Sequence, residues 1–159
     1  MIELLVTLVI VGVIMAFILT NTSRAKARSA DVEIKTNLAL IQSRMELLYD
    51  KNKNYGIETI YTNSGTGIFF NDKQIKSARV AAEKASGGTP MSCISSDDTI
   101  PINMPAKTWA CSQKLKSMNN FWCVDYLGTS KQTNGNVTQT INGVNKTATS
   151  SIAGIIVCP

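Results

Sequence analysis

Few side chains in this 159-residue chain could do chemistry, and their spacing does not converge on a reaction centre. Histidine is absent, so a Ser-His or Cys-His pair of nucleophile and base cannot be built. Gly65-Thr66-Gly67 lacks the remaining elements of a phosphate-cradling loop. Asp97-Asp98 supply two adjacent carboxylates, whereas a calcium ion takes about six to eight oxygens, and a solvated turn is the simpler reading. No catalytic residue, metal site or cofactor is expected.

The cysteines carry the one covalent chemistry that the pattern supports. Cys93, Cys111, Cys123 and Cys158 are even in number and all fall in the C-terminal half. With no Cys-x-x-Cys pair they fit disulfides better than zinc, in a chain whose N-terminus points to export. Four cysteines allow three pairings. Cys93 with Cys111 and Cys123 with Cys158 is the one favoured, and the other two stay open. Asn21, Asn136 and Asn145 each begin an N-x-Ser/Thr triplet, a short pattern that a Thr-rich tail produces by chance. The net charge of +5 permits weak binding to DNA or an anionic surface. Apart from Arg24, Lys26 and Arg28, however, the basic residues are scattered, and without a recognition motif a solvated face is the plainer expectation.

Two unlike elements must position these residues. From Leu4 to Leu19 only Thr7 and Gly12 interrupt a run of apolar side chains, and a helix apolar on every face suits a membrane span or an assembly interior. Sixteen to nineteen such residues rise roughly 24 to 28 Å, at the short end for a hydrocarbon core of about 30 Å. Glu3 stands at the edge of this run, where a carboxylate is costly to desolvate without a cation or donor. A signal peptide fits less well, because no basic n-region opens the run and no small-x-small site ends it.

Ile2-Glu3-Leu4-Leu5-Val6, followed by a long apolar run containing Gly12, resembles the mature N-terminal helix of type IV pilins and of the related pseudopilins of type II secretion. The likeness covers about the first 25 residues. It implies a structural subunit rather than an enzyme: a prepilin peptidase trims and methylates the N-terminus, the helix waits in the inner membrane, and assembly machinery then bundles many copies into a helical filament. The mature chains of the family usually carry a Phe and one more residue ahead of the position matching Met1, so a trimmed or differently assigned start is expected here. The resemblance gives the assembly role to Glu3, with Ile2, Leu4, Leu5, Leu8, Gly12 and Phe17 around it, and implies that Glu3 meets the N-terminal amine of a neighbouring copy. It also implies a cell-surface filament serving adhesion, twitching motility or DNA uptake, with a pseudopilin piston as the related alternative. A single-span membrane-anchored binding module is a third reading, since Arg24, Lys26 and Arg28 directly follow the apolar run.

Beyond Leu19 the pattern becomes one-sided. Ala27, Ile34, Leu38, Ile41, Met45 and Leu48 recur mainly at three- and four-residue steps, which predicts a continuing amphipathic helix that ends in the stretch DKNKNYG with Asn and Gly as its cap. The helix would total about 50 residues and roughly 75 Å, far longer than a small domain is wide, so its apolar half must protrude and be covered by a membrane or by other subunits. Short strands are expected at 57–62 and 68–70, then a helix from the Asn71-Asp72-Lys73-Gln74 start to about Ala85. Thr108 to Leu115 and Phe121 to Leu127 predict an antiparallel hairpin, with Trp109, Phe121, Trp122, Val124 and Tyr126 as packing residues. Asn134-Gly135 and Asn142-Gly143 signal two further hairpin turns before a last strand at 152–157. The expected fold class is therefore α+β and pilin-like, a long N-terminal helix whose C-terminal half packs on an antiparallel sheet. Residues 1–23 form the protruding anchor and filament core, and 24–159 the head.

Overall fold

A single helix, α1, runs from Ile2 to Asn52 and sets the geometry of the computed structural model, which describes residues 2–56, 59–61, 68–96, 105–135, 138–141, 144–147 and 156–158. The helix is continuous through the Thr20-Asn21-Thr22-Ser23 stretch. It ends where Lys53 turns left-handed at φ 58° and donates its amide to the Tyr49 carbonyl at 2.6 Å. The cap thus falls on a lysine rather than on the Asn or Gly expected from the sequence. Asn54 serves the following turn instead, its side-chain oxygen accepting from the Gly56 amide at 2.9 Å.

Two helices and two sheets follow. Ile68–Asn71 forms a short helix, α2, and Lys73–Ser86 forms α3. The main antiparallel sheet has the order β1 (Thr59–Tyr61), β2 (Ser92–Ser96), β3 (Thr108–Lys114), β4 (Phe121–Asp125), β5 (Ser130–Thr133). A smaller sheet has the order β7 (Val144–Thr147), β6 (Thr138–Ile141), β8 (Ile156–Val157). The fold is α+β. The expected β3–β4 hairpin is present, pairing Lys114 with Phe121 and Ala110 with Asp125.

Two expectations fail. Residues 68–70 are helical, because Asp72 donates its amide to the Ile68 carbonyl while its carboxylate caps α3 by accepting from Gln74 and Ile75 at 3.0 Å each. The chain therefore turns one residue before the cap, and Phe69 is driven fully inside. Asn134-Gly135 does not close a hairpin either: β5 pairs with β4, whereas β6 pairs with β7 and β8. The second Asn-Gly pair lies outside the described residues, yet its flanks Ile141 and Val144 are register partners, the spacing of a two-residue turn.

The core forms where α1 meets this sheet. Ile34, Leu38, Ile41 and Met45 are completely buried on one stripe of α1, with Trp109, Val124, Cys93 and Cys111 facing them; each such aliphatic side chain stabilises the fold by about 1.5 to 3 kcal/mol. Ile94, Ala110 and Cys123 point to the opposite face of the sheet, where Cys158 covers them. Cys93 bonds Cys111 and Cys123 bonds Cys158, so one disulfide lies on the helix side and the other straps the C-terminal segment to the outer side.

Polar contacts fix α1 along the sheet. Asp31, only 5% exposed, accepts from the Lys116 amide at 2.5 Å and from the Ser117 amide and hydroxyl in the β3–β4 turn. Gln42 donates to the Asp125 carbonyl at 3.1 Å, and Arg44 pairs with Asp72 at 2.7 Å. Replacing Asp31 strands buried donors, so Asp31→Ala is expected to cost about 2 to 3 kcal/mol in a urea melt.

Tyr55 lies beside the core, stacked near Tyr49 with ring centroids 4.8 Å apart and edge-on to Trp109. Burial, and then the charge of Glu46, push its hydroxyl from 10.0 up to about 12. The unfolded chain therefore ionises this tyrosine first, and the stabilisation is complete below pH 10 and lost as pH rises toward about 12. Tyr55→Phe is expected to lose less stability than the wild type across that window in alkaline melts.

Candidate functional site

The first four turns of α1, from Ile2 to Ala16, are exposed throughout, whereas its later turns pack into the head. Ile2 is 79% exposed, Leu4, Leu5 and Leu8 are more than 60% exposed, and the open apolar face continues through Met15. These side chains form a helix because none is Pro and most are branched or straight apolar residues that differ little in propensity over such a length. Nothing in the helix itself hides them. A contiguous apolar face of this extent marks an interaction surface, because a monomer in water rarely leaves one open.

Five of the predicted assembly residues, Ile2, Glu3, Leu4, Leu5 and Leu8, crowd into the first two turns and all are exposed. Gly12 is on the same rod, and a Cβ built there would meet nothing within 4 Å, so no packing within the chain calls for a glycine. Phe17 is helical in its backbone, and its side chain lies outside the described residues. Thr7 returns its hydroxyl to the Leu4 carbonyl at 3.0 Å, which leaves little polar character on that turn. Glu3 is the only charged residue before Arg24, about 30 Å further along the helix. It therefore needs a partner from another molecule if it is taken out of water.

The membrane-spanning helix expected from the sequence is not found: among the described residues no helix is long and apolar enough to cross a membrane.

Where α1 enters the head, an open groove of about 670 Å³ lies between the helix and the β3–β4 turn. Arg24, Arg28, Lys35 and Lys116 line it, with Asp31 as its carboxylate. That carboxylate is committed to the turn amides, and the Lys35 ammonium sits 4.4 Å from the Trp122 ring centre. Arg24 and Arg28 are exposed, and neither forms an ion pair among the described residues. Arg24, Lys26 and Arg28 form a local cluster in the sequence, and the fold brings Arg24 and Arg28 together with Lys35 and Lys116 in one basic recess, which no local spacing reveals because Lys116 comes from a distant turn. Asp97-Asp98 and Asn136 lie outside the described residues.

No family model matches the chain, and neither a curated protein nor a solved structure matches it.

Proposed function

We propose that the chain is a structural subunit that polymerises through its N-terminal helix into a filament of the type IV pilus kind, with no catalytic role. The observation that carries this reading is the uncovered apolar segment of α1 from Ile2 to Ala16, continuous in one helix with the stripe of Ile34, Leu38, Ile41 and Met45 that is buried in its own head. Side-by-side packing of many such rods removes the apolar surface from water and leaves the disulfide-tied heads outside. The N-terminal residues that resemble the pilin pattern are the ones that stand open. On this reading copies are processed by a prepilin peptidase, held at the inner membrane, and moved by assembly machinery into a cell-surface filament that acts in adhesion, motility or DNA uptake.

The decisive experiment is electron microscopy of sheared surface material together with mass spectrometry of its contents. Filaments containing this chain support the proposal. Short, cell-bound fibres tied to secretion would move it to a pseudopilin, and an integral monomer would favour an anchored binding module.

Removal of residues 1–23 is expected to leave a soluble monomer with a cooperative thermal transition, because the stripe from Ile34 to Met45 remains inside the head. An insoluble or non-cooperative product would refute that division of labour. Glu3→Ala is expected to leave the head's melting unchanged and to lower filament yield by about tenfold or more, the scale for loss of one partner of a desolvated charge pair. Normal filament numbers in cells lacking the wild-type chain would exclude a role for Glu3 in assembly.

A further inference from the structure

The groove between α1 and the β3–β4 turn gathers more positive charge than the fold neutralises. Arg24 and Arg28 stand four residues apart on one face of α1, a spacing at which like charges repel. Both are exposed, and neither forms an ion pair among the described residues. Asp31, the carboxylate of the groove, is committed to the Lys116 and Ser117 amides and the Ser117 hydroxyl. The two lysines are engaged by the head. Lys35 holds its ammonium 4.4 Å from the Trp122 ring centre, and the Lys116 ammonium lies against Gly87 at the C-terminal cap of α3, the negative end of that helix. The two guanidiniums are left for a ligand.

We infer that this groove binds the phosphate of an anionic phospholipid of the phosphatidylglycerol type while the chain is held at the membrane, with Arg24 and Arg28 as the phosphate-binding forks. The inference rests on the membrane-held stage of the proposed subunit. A guanidinium presents paired donors that match two phosphate oxygens, and two of them one turn apart can share a phosphodiester. Position along the helix selects a lipid. The apolar run ends at Leu19 and Arg24 follows five residues later, about 7.5 Å along a continuous helix. The headgroup layer of a bilayer is about 5 to 7 Å thick on each side. Helical side chains lean toward the N-terminus, here toward the bilayer, so a helix inserted as far as Leu19 carries the Arg24 guanidinium into that layer and the Arg28 guanidinium to its edge. Insertion to this depth does not require the run to cross the bilayer.

The lining of the groove favours a lipid over other phosphates. Single nucleic-acid strands stack their bases on open aromatic faces, and one face of the half-buried Trp122 ring beside the groove is taken by Lys35. Ala27, Val32 and Met118 supply apolar wall between the cations. There the glycerol and first methylenes of a phospholipid lose contact with water, a gain that an inorganic ion does not share. A headgroup seated in the groove ties the base of the head to the bilayer surface, and it must leave before the helix departs from the membrane.

The test uses the full chain. Flotation with phosphatidylcholine vesicles, with and without phosphatidylglycerol, is expected to carry the wild type in both cases through its apolar segment. Native mass spectrometry of the chain in neutral detergent, supplied with equal amounts of the two lipids, is expected to retain one phosphatidylglycerol in about tenfold or greater excess over phosphatidylcholine. Arg24→Gln with Arg28→Gln is expected to lose that preference. Lys51→Gln with Lys84→Gln, an equal change of charge outside the groove, is expected to keep it. Equal retention of the two lipids by the wild type, or an undiminished preference in the arginine variant, overturns the lipid site and leaves the filament reading standing. Displacement of the lipid by equimolar inorganic phosphate or a single-stranded oligonucleotide also overturns it, and assigns the groove to a free anion or to nucleic acid. A chain that floats with neither kind of vesicle defeats the membrane-held stage and this inference together. The wild-type comparison needs no variant, so it decides the matter even if the arginine replacements fail to fold.

Discussion

One helix carries both the stripe on which the core is built and a long exposed apolar segment. α1 is a continuous 51-residue element, so its two halves share an axis and cannot fold away from each other. Its lower half is held by side chains that are entirely buried, and the rigid rod then carries more than 20 Å of apolar surface out beyond the head. Backbone hydrogen bonding along a helix is local, so the chain makes this rod without help from the sheet. The sheet and α3, whose Ile75, Ala78 and Ala82 join the same core, decide which part is covered.

Three carboxylates organise the head where ladder hydrogen bonds stop. Asp31 gathers the β3–β4 turn onto α1, and Asp72 both caps α3 and pairs with Arg44. Asp125, 1% exposed, accepts from Leu127 and Thr129 in the turn after β4 and from the Cys158 amide at the C-terminal end. The Arg44 guanidinium holds the Asp72 carboxyl below its ordinary value. Each acid ties segments that are distant in the chain, so the small core is supplemented by charge-assisted hydrogen bonds at its margins. The two disulfides act in the same regions: one links register partners in β2 and β3, and the other ties Cys158, just after β8, to Cys123 in β4.

The head half of α1 carries two stripes that differ in what covers them. The stripe of Ile34, Leu38, Ile41 and Met45 is consumed in folding. The stripe of Ala25, Ser29, Val32, Thr36 and Leu40 remains open. The basic groove adjoins the open stripe only because Lys116 arrives from the β3–β4 turn beside Arg24 and Arg28.

The sequence by itself determined the elements whose signals are local and repeated. The unbroken apolar run and the stripe that follows it predicted one long helix, since periodicity over many turns averages out individual propensities. Aromatic and apolar runs predicted the β3–β4 hairpin, and an even set of cysteines without Cys-x-x-Cys spacing predicted disulfides. Only the tertiary structure decided what depends on residues far apart. Ile68 to Phe70 carry strand-like side chains, yet the cap at Asp72 and a site for Phe69 in the core make them helical. Asn134-Gly135 has the composition of a hairpin turn, but the pairing of β5 with β4 sends the chain on to a second sheet. Asp31 carries no local signal of burial and is buried by a turn 85 residues away. A side chain's spacing reveals which face it shares; which distant backbone meets that face is set by the packing of the whole chain.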